Sequence, residues 1–460
     1  MNIPASKNDA QAVDAGSRSP GYVVLLATIT AISGFLFGYN TAVINGVLLF
    51  LRQQFTPSDL QSEIAASSIL VGALFGAASA SLIGDRYGRK KSLMFSAVLF
   101  TVTPLAAAAA NSVAMFSLAR LFSGLAIGLA SVLTPVYIAE ISPSKNRGAL
   151  VSLNQLGIVI GILAAFIVGW RLSSLGENSW RWMLAVAAVP SLIFFLGLFA
   201  IPESPRWLID RGRTAEAMET LVRLLGEREA SEEVNAVSIV ATDDQGSWSE
   251  LFSQDMRKRL GVGMALAIFS QVTGVNAVLY YGSVVISEHF PGQSAGMALA
   301  SNIIIGLVNL IATIIAMVFV DRWGRRVILM TASGGMAVAL FILVMGLNIQ
   351  GAPAFLMLAS ILLYVAFFAF GMGPGPWLII SEIFPTKVRG RAASIATSTL
   401  WSGALLVTFT FLSLVHTLKL SGTFALFGMF SVACFLYVWR KVPETKGKTL
   451  EQIQESWSKS

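Results

Sequence analysis

Charge in this chain is confined to short clusters, and between the clusters run twelve apolar stretches. A bilayer core of about 30 Å is crossed by about 20 helical residues. The stretches lie at 22–51, 64–84, 92–111, 113–139, 150–170, 182–201, 260–287, 297–320, 327–348, 353–380, 392–414 and 421–441. Backbone in lipid has to satisfy its own hydrogen bonds, so each is expected to be a helix. Of the 460 residues 55% are hydrophobic and 12% charged, about half the charged share of a soluble domain. This excludes a disordered chain and argues against a soluble globular enzyme.

The chemistry-bearing residues narrow the field further. A single cysteine, Cys434, rules out a disulfide framework, and His289 and His416 lie far apart. No metal site, cofactor or catalytic nucleophile–base pair is expected, and no phosphate-cradling Gly-Lys-Ser/Thr loop is present. The stretch 1–20 is polar, without a cleavage signal, and reads as a cytoplasmic tail.

Orientation follows from the basic residues. With both termini on one side, that side carries 27 Lys and Arg and the other carries four, Arg52, Arg171, Arg181 and Lys419. Arg120 falls within a span. By the positive-inside rule both termini are expected in the cytoplasm. The net charge of +7 follows from this bias. Because the bases are dispersed over seven segments, no nucleic-acid partner is expected.

The chain repeats itself. Asp85-Arg86-Tyr87-Gly88-Arg89 is echoed by Asp321-Arg322-Trp323-Gly324-Arg325, each after the second span of its half. Glu140-Ile-Ser-Pro-Ser-Lys-Asn-Arg147-Gly148 is echoed by Glu382-Ile-Phe-Pro-Thr-Lys-Val-Arg389-Gly390, each after the fourth span. Pro202-Glu203-Ser204-Pro205-Arg206 and Pro443-Glu444-Thr445-Lys446-Gly447 close the halves. The offsets are 236, 242 and 241 residues. The expected fold is therefore an all-α membrane protein of two six-helix, pseudo-symmetric halves with a site between them. Its parts are a tail at 1–20, a first half at 21–202, an amphipathic linker at 203–259, a second half at 260–442 and a tail at 443–460.

Asp85, Arg89, Glu140, Arg147, Glu203 and Arg206, with Asp321, Arg325, Glu382, Arg389 and Glu444, all fall at cytoplasmic helix ends. Basic residues alone would serve as topological anchors. The acidic partners add little to topology, so the set is expected to form a charge network. It would bridge neighbouring helices and the two halves, closing the cytoplasmic side in one state and breaking in the other.

These residues resemble the sugar porters of the major facilitator superfamily over nearly the whole length. The resemblance rests on Gly38-Tyr39-Asn40, both Asp-Arg-x-Gly-Arg turns, Arg120, Gln155-Leu156-Gly157 and Pro202-Glu203-Ser204-Pro205-Arg206. It extends to Trp248-Ser-Glu-Leu-Phe252, Gly274-Val275-Asn276-Ala277 with Tyr280-Tyr281, Gly373-Pro374 with Trp377, and Pro443-Glu444-Thr445-Lys446-Gly447. It implies that Gln155, Gln271, Asn276, Asn309 and Trp377 bind a monosaccharide. Amides donate to and accept from hydroxyls, and an aromatic face suits the C–H side of a pyranose. Phe37, Tyr280 and Tyr281 resemble aromatic cavity or outer-gate residues of the family, with ordinary packing the alternative, and Gly373 completes the implied site. Gln271 and Asn276 are five apart, so helix 7 is expected to distort or to present them from its two flanks. The resemblance has gaps: Ser270 stands where many relatives have a second glutamine, and Ala369, Leu400 and Ala404 replace polar positions.

Coupling is read at Asn40. Proton-coupled sugar porters have an aspartate there, acting with the helix 4 arginine, while the facilitative glucose carriers resemble this chain. Arg120 stays protonated and cannot shuttle a proton. Every one of the 25 acidic residues maps to a loop, tail, linker or the cytoplasmic end of a span, with Glu63 in the loop before span 2. The expectation is an uncoupled hexose uniporter working by alternating access. Proton symport is the alternative, and a non-transporting sensor a second. Short tails and the absence of an Asn-x-Ser/Thr sequon suggest a bacterial inner membrane. A monomer with no obligate protein partner is expected, in keeping with the family.

Overall fold

The computed structural model describes residues 20–143, 146–232, 234, 248–289, 295–351, 353–384, 386–444 and 446. Its regular elements among the described residues are helices only. Among the described residues ten uninterrupted runs are long and apolar enough to cross a membrane; two of them, 147–200 and 390–441, hold 54 and 52 residues. At a rise of about 1.5 Å per residue, each of these two is long enough for two crossings. Gly176 (φ 78°) divides the first and Lys419 (φ 62°) the second. Twelve spans result, and an even number leaves both termini on one face.

Span 1 comprises Pro20–Ala42 and Ile44–Phe55, span 2 Asp59–Tyr87, span 3 Arg89–Ala108 and span 4 Val113–Ile141. Span 5 is Arg147–Leu172, and span 6 comprises Ser179–Ala185 and Ala188–Ala200. The linker carries short helices at Pro205–Asp210, Thr214–Leu225 and Trp248–Leu251. In the second half, span 7 is Gln254–Val272 plus Val275–His289, span 8 Ala295–Trp323 and span 9 Arg325–Asn348. Span 10 is Ala354–Phe367, a π-helical turn at Phe368–Met372 and Gly375–Ile383; spans 11 and 12 share Thr386–Lys441. Between the halves, span 2 packs on span 11, span 5 on span 8, and the tip of span 1 on the second piece of span 7.

Lipid contributes little hydrophobic drive between helices, so close backbone approach holds them together. In the first half glycines supply it. A Cβ on Gly38 would lie 1.9 Å from the Ile158 carbonyl oxygen, so spans 1 and 5 touch there backbone to backbone.

Span 2 begins earlier than its hydropathy suggests. Ser58 and Gln61 form a capping box. The Ser58 hydroxyl accepts from the Gln61 amide at 3.2 Å. The Gln61 side chain accepts from the Ser58 amide at 3.0 Å. The helix therefore starts at Asp59, and Glu63 is carried into the bundle, 1% exposed, not into a loop.

Candidate functional site between the halves

Span 7 breaks where the spacing of its two amides requires it to. Gly274 takes φ +97°, and a Cβ there would sit 2.3 Å from Phe427; both features favour glycine. The Thr273 carbonyl, on the residue before Gly274, accepts from the Tyr364 hydroxyl of span 10 at 2.9 Å. The break brings Gln271 and Asn276 together: Asn276 Nδ2 donates to Gln271 Oε1 at 2.8 Å, and Gln271 Nε2 donates to Ser270 Oγ at 2.9 Å.

Span 10 is interrupted beside the other implied ligands. Gly373 N donates five residues back to the Phe368 carbonyl at 2.9 Å, the π pattern common at functional sites. Pro374 precedes the helix carrying the half-buried Trp377. Gln155 on span 5 is half-buried and Asn309 on span 8 is buried. Among the described hydrogen bonds neither joins the Gln271–Asn276 pair. Phe37 packs against Trp401 of span 11 in a tilted pair, with ring centroids 5.4 Å apart. Trp401 is 3% exposed, and its indole N–H finds no partner among the described residues. Sequence reasoning gave this residue no role, because its contact with Phe37 exists only in the fold. Tyr281 is committed elsewhere: its hydroxyl donates to the Thr408 carbonyl at 2.9 Å and its ring stacks on Phe411. A groove of about 460 Å³ lies between spans 2, 7 and 11, lined by Ala78, Val272, the exposed Ile268 and Leu406 and a row of span 11 hydroxyls, and by none of the implied sugar ligands.

At the coupling position, Arg120 is 1% exposed and donates from Nη1 to the Asn40 backbone carbonyl at 2.7 Å. Asn40 Nδ2 donates to the Leu36 carbonyl at 2.9 Å. Arg120 Nε and Nη2 and Asn40 Oδ1 have no partner among the described residues.

The first-half members of the expected charge network can be placed. Arg89 clasps Glu140 through Nε and Nη2, both at 3.1 Å, and reaches Asp85 at 3.0 Å, all within the first half. Glu140 also accepts from the Ser204 hydroxyl at 2.5 Å. Glu203 makes no ion pair with a guanidinium among the described residues. Its carboxylate accepts from the backbone amides of Arg89 and Lys90, at 2.8 and 3.1 Å, at the start of span 3. Glu444 repeats this at span 9, accepting from the amides of Arg325 and Arg326 at 3.0 and 3.2 Å. Both carboxylates complement the positive end of a helix. Gly88 and Gly324 (φ +93° and +91°) leave room for them; a Cβ would stand 2.2 and 2.6 Å away from a carboxylate oxygen. Trp207 and Arg211 of the linker donate to the Asp85 carbonyl at 2.8 and 2.7 Å, fastening the linker to this turn. Arg206 faces Asp210, whose carboxyl is raised by burial against the opposing pull of Arg206 and Arg89. Arg147 is exposed. The side chains of Asp321, Glu382 and Arg389 lie outside the described residues.

Among the described residues, further bonds join the two halves. On the face opposite the termini, Asn45 of span 1 accepts from the Ser283 amide at 3.1 Å and donates to the Leu279 carbonyl at 2.9 Å, both on span 7. Glu63 of span 2 meets Ser413 of span 11 on the same face. On the termini face the Ser81 and Ser394 hydroxyls are 2.6 Å apart.

Twelve spans in two halves, with polar side chains gathered between them at broken helices, define a major facilitator transporter. The "Sugar (and other) transporter" family model matches residues 26–457. The chain is 38% identical over 450 residues to the "Arabinose-proton symporter" of Bacillus subtilis, covering 96% of this chain and 97% of the relative. It is 37% identical over 444 residues to the "D-xylose transporter" of Levilactobacillus brevis, covering 95% of each. Its structure resembles that of the Escherichia coli proton:xylose symporter XylE bound to 6-bromo-6-deoxy-D-glucose, with a TM-score of 0.83 and 33% identity over 96% of this chain and all of that one. The chain belongs to the sugar porter family of the major facilitator superfamily: it is an integral plasma-membrane sugar transporter, not an enzyme.

Proposed function

We propose that the chain carries a monosaccharide, a hexose such as glucose, down its gradient by alternating access, as a monomeric uniporter with cytoplasmic termini in a bacterial inner membrane. The observation that carries the uncoupled reading is the Arg120–Asn40 contact. The guanidinium meets a backbone carbonyl at 2.7 Å. The side chain at the coupling position is an amide, which cannot exchange a proton. Gln271, Asn276, Gln155 and Asn309 would take the hydroxyls and Trp377 the ring face. Trp401 beside Phe37 adds a buried donor to that wall. Rocking of the halves would break the Asn45 bonds on one face or the Ser81–Ser394 contact on the other. The orientation rests on the distribution of basic residues.

The test is counterflow of labelled glucose, xylose, arabinose and galactose in liposomes, then uptake with and without an imposed proton gradient. Counterflow without gradient-driven accumulation supports uniport. Accumulation abolished by an uncoupler overturns it. In the same assay Asn40→Asp, which gives Arg120 a carboxylate, is expected to make uptake proton-dependent.

Proton symport is kept as the second reading because Glu63, a carboxylate, is buried within the bundle and bonded across the halves. Names of relatives such as the Bacillus subtilis "Arabinose-proton symporter" point the same way.

A further inference from the structure

We propose that Glu63 is a proton-binding latch between the two halves, on the face opposite the termini. Span 2 contributes the carboxylate and span 11 the whole of its partner. Ser413 N donates to Oε1 at 2.8 Å and Ser413 Oγ donates to Oε2 at 3.0 Å. The group is 1% exposed. A buried carboxylate is tolerated where each oxygen is hydrogen-bonded, and here both are. Spans 2 and 11 belong to different halves, so separating the halves on this face breaks both bonds at once.

The latch differs in kind from its neighbour. The Asn45 clasp on the same face is built from amides and a hydroxyl and has the same strength at any pH. Glu63 accepts through both oxygens only while ionised. A proton turns one oxygen into a donor and leaves neutral bonds, roughly half as strong as charge-assisted ones. In the closed form the carboxylate is out of reach of solvent, so the proton arrives when this face opens and holds it open by mass action. Acid on this side therefore shifts the molecule toward the form open to that side.

Other charged groups surround the latch. Arg52 at the tip of span 1 pairs with Asp59 at the start of span 2 at 3.4 Å. Tyr281 of span 7 lies within the electrostatic reach of Glu63 and Arg52, its hydroxyl already committed to Thr408. His416 and Lys419, both exposed, follow Ser413 on its own helix. His416 is the rival source of a pH response and sets the control.

The latch stands on geometry; its consequence for transport rests on the alternating-access reading, and the experiment separates the two. Spin labels replace the exposed Leu60 and Leu418, near the ends of spans 2 and 11, in the full chain with Cys434→Ala. Distances are read in nanodiscs at neutral pH and at a pH low enough to protonate an ordinary exposed carboxylate. Acidification is expected to raise the ratio of long to short distances about fivefold, the difference between charge-assisted and neutral bonds. Glu63→Gln is expected to give the acidified distribution at neutral pH and no further response. Ser413→Ala, which keeps the backbone bond, falls between; His416→Gln keeps the full response. A Glu63→Gln protein that retains the short distance or the pH response overturns the proposal, as does loss of the response in His416→Gln. Counterflow is run on the same preparations. An intact distance response without counterflow of any tested sugar would sink the transport reading and leave the latch standing.

Discussion

The two halves repeat one sequence pattern and meet its demands differently. In the first half, spans 1 and 6 are interrupted only at residues that keep right-handed helical angles, Val43, Val186 and Ala187, and glycines bring helix backbones into contact. In the second half spans 7 and 10 are broken by a left-handed glycine and by a π turn followed by Pro374. Gln271, Asn276 and Trp377 lie at those breaks. The sharp breaks beside the implied sugar ligands thus lie in the second half, and close backbone contacts mark the first.

Four substitutions test that division, from the largest effect to the smallest. Arg89→Ala leaves Glu140 in a nearly buried site without its cation. It is expected to cost about 3 kcal/mol of stability, read as a lower melting temperature. Gly38→Ala forces a methyl against the Ile158 carbonyl. The expected cost of that overpacking is about 2 kcal/mol. Gln271→Ala is expected to leave melting nearly unchanged while raising the half-saturating sugar concentration about tenfold. Were it to melt the protein without affecting transport, the second-half amides would be structural glue. Gly373→Ala places a Cβ that meets nothing closer than 3.6 Å. Its expected cost is the smallest, about 0.5 kcal/mol at most. Equal melting losses in the two glycine variants would erase the contrast between the halves.

Much of this was legible in the sequence. Hydropathy and the repeat carry the twelve spans, because lipid leaves a helix few alternatives. The distortion of span 7 was legible in the five-residue spacing of Gln271 and Asn276. The position of Glu63 was missed because hydropathy marks where a span turns apolar, not where its helix begins. Ser58 and Gln61 held that information as a capping signature. The bonds that Glu203 and Glu444 make to backbone amides were not legible, because every sequence contains such amides and none advertises them. Tyr281 looked like a cavity residue, and its hydroxyl is spent on a backbone carbonyl within its own half.

The Asn276–Gln271 hydrogen bond has a consequence for affinity. On the proposed reading, a hydroxyl entering between the two amides does not fill unsatisfied groups; it displaces one amide as the partner of the other. Binding is then an exchange between nearly equivalent bonds, and its net free energy stays small. A carrier gains from such a balance: cargo that replaces an internal surrogate is easily replaced by it in turn, and release on the far side needs no deep well to be climbed.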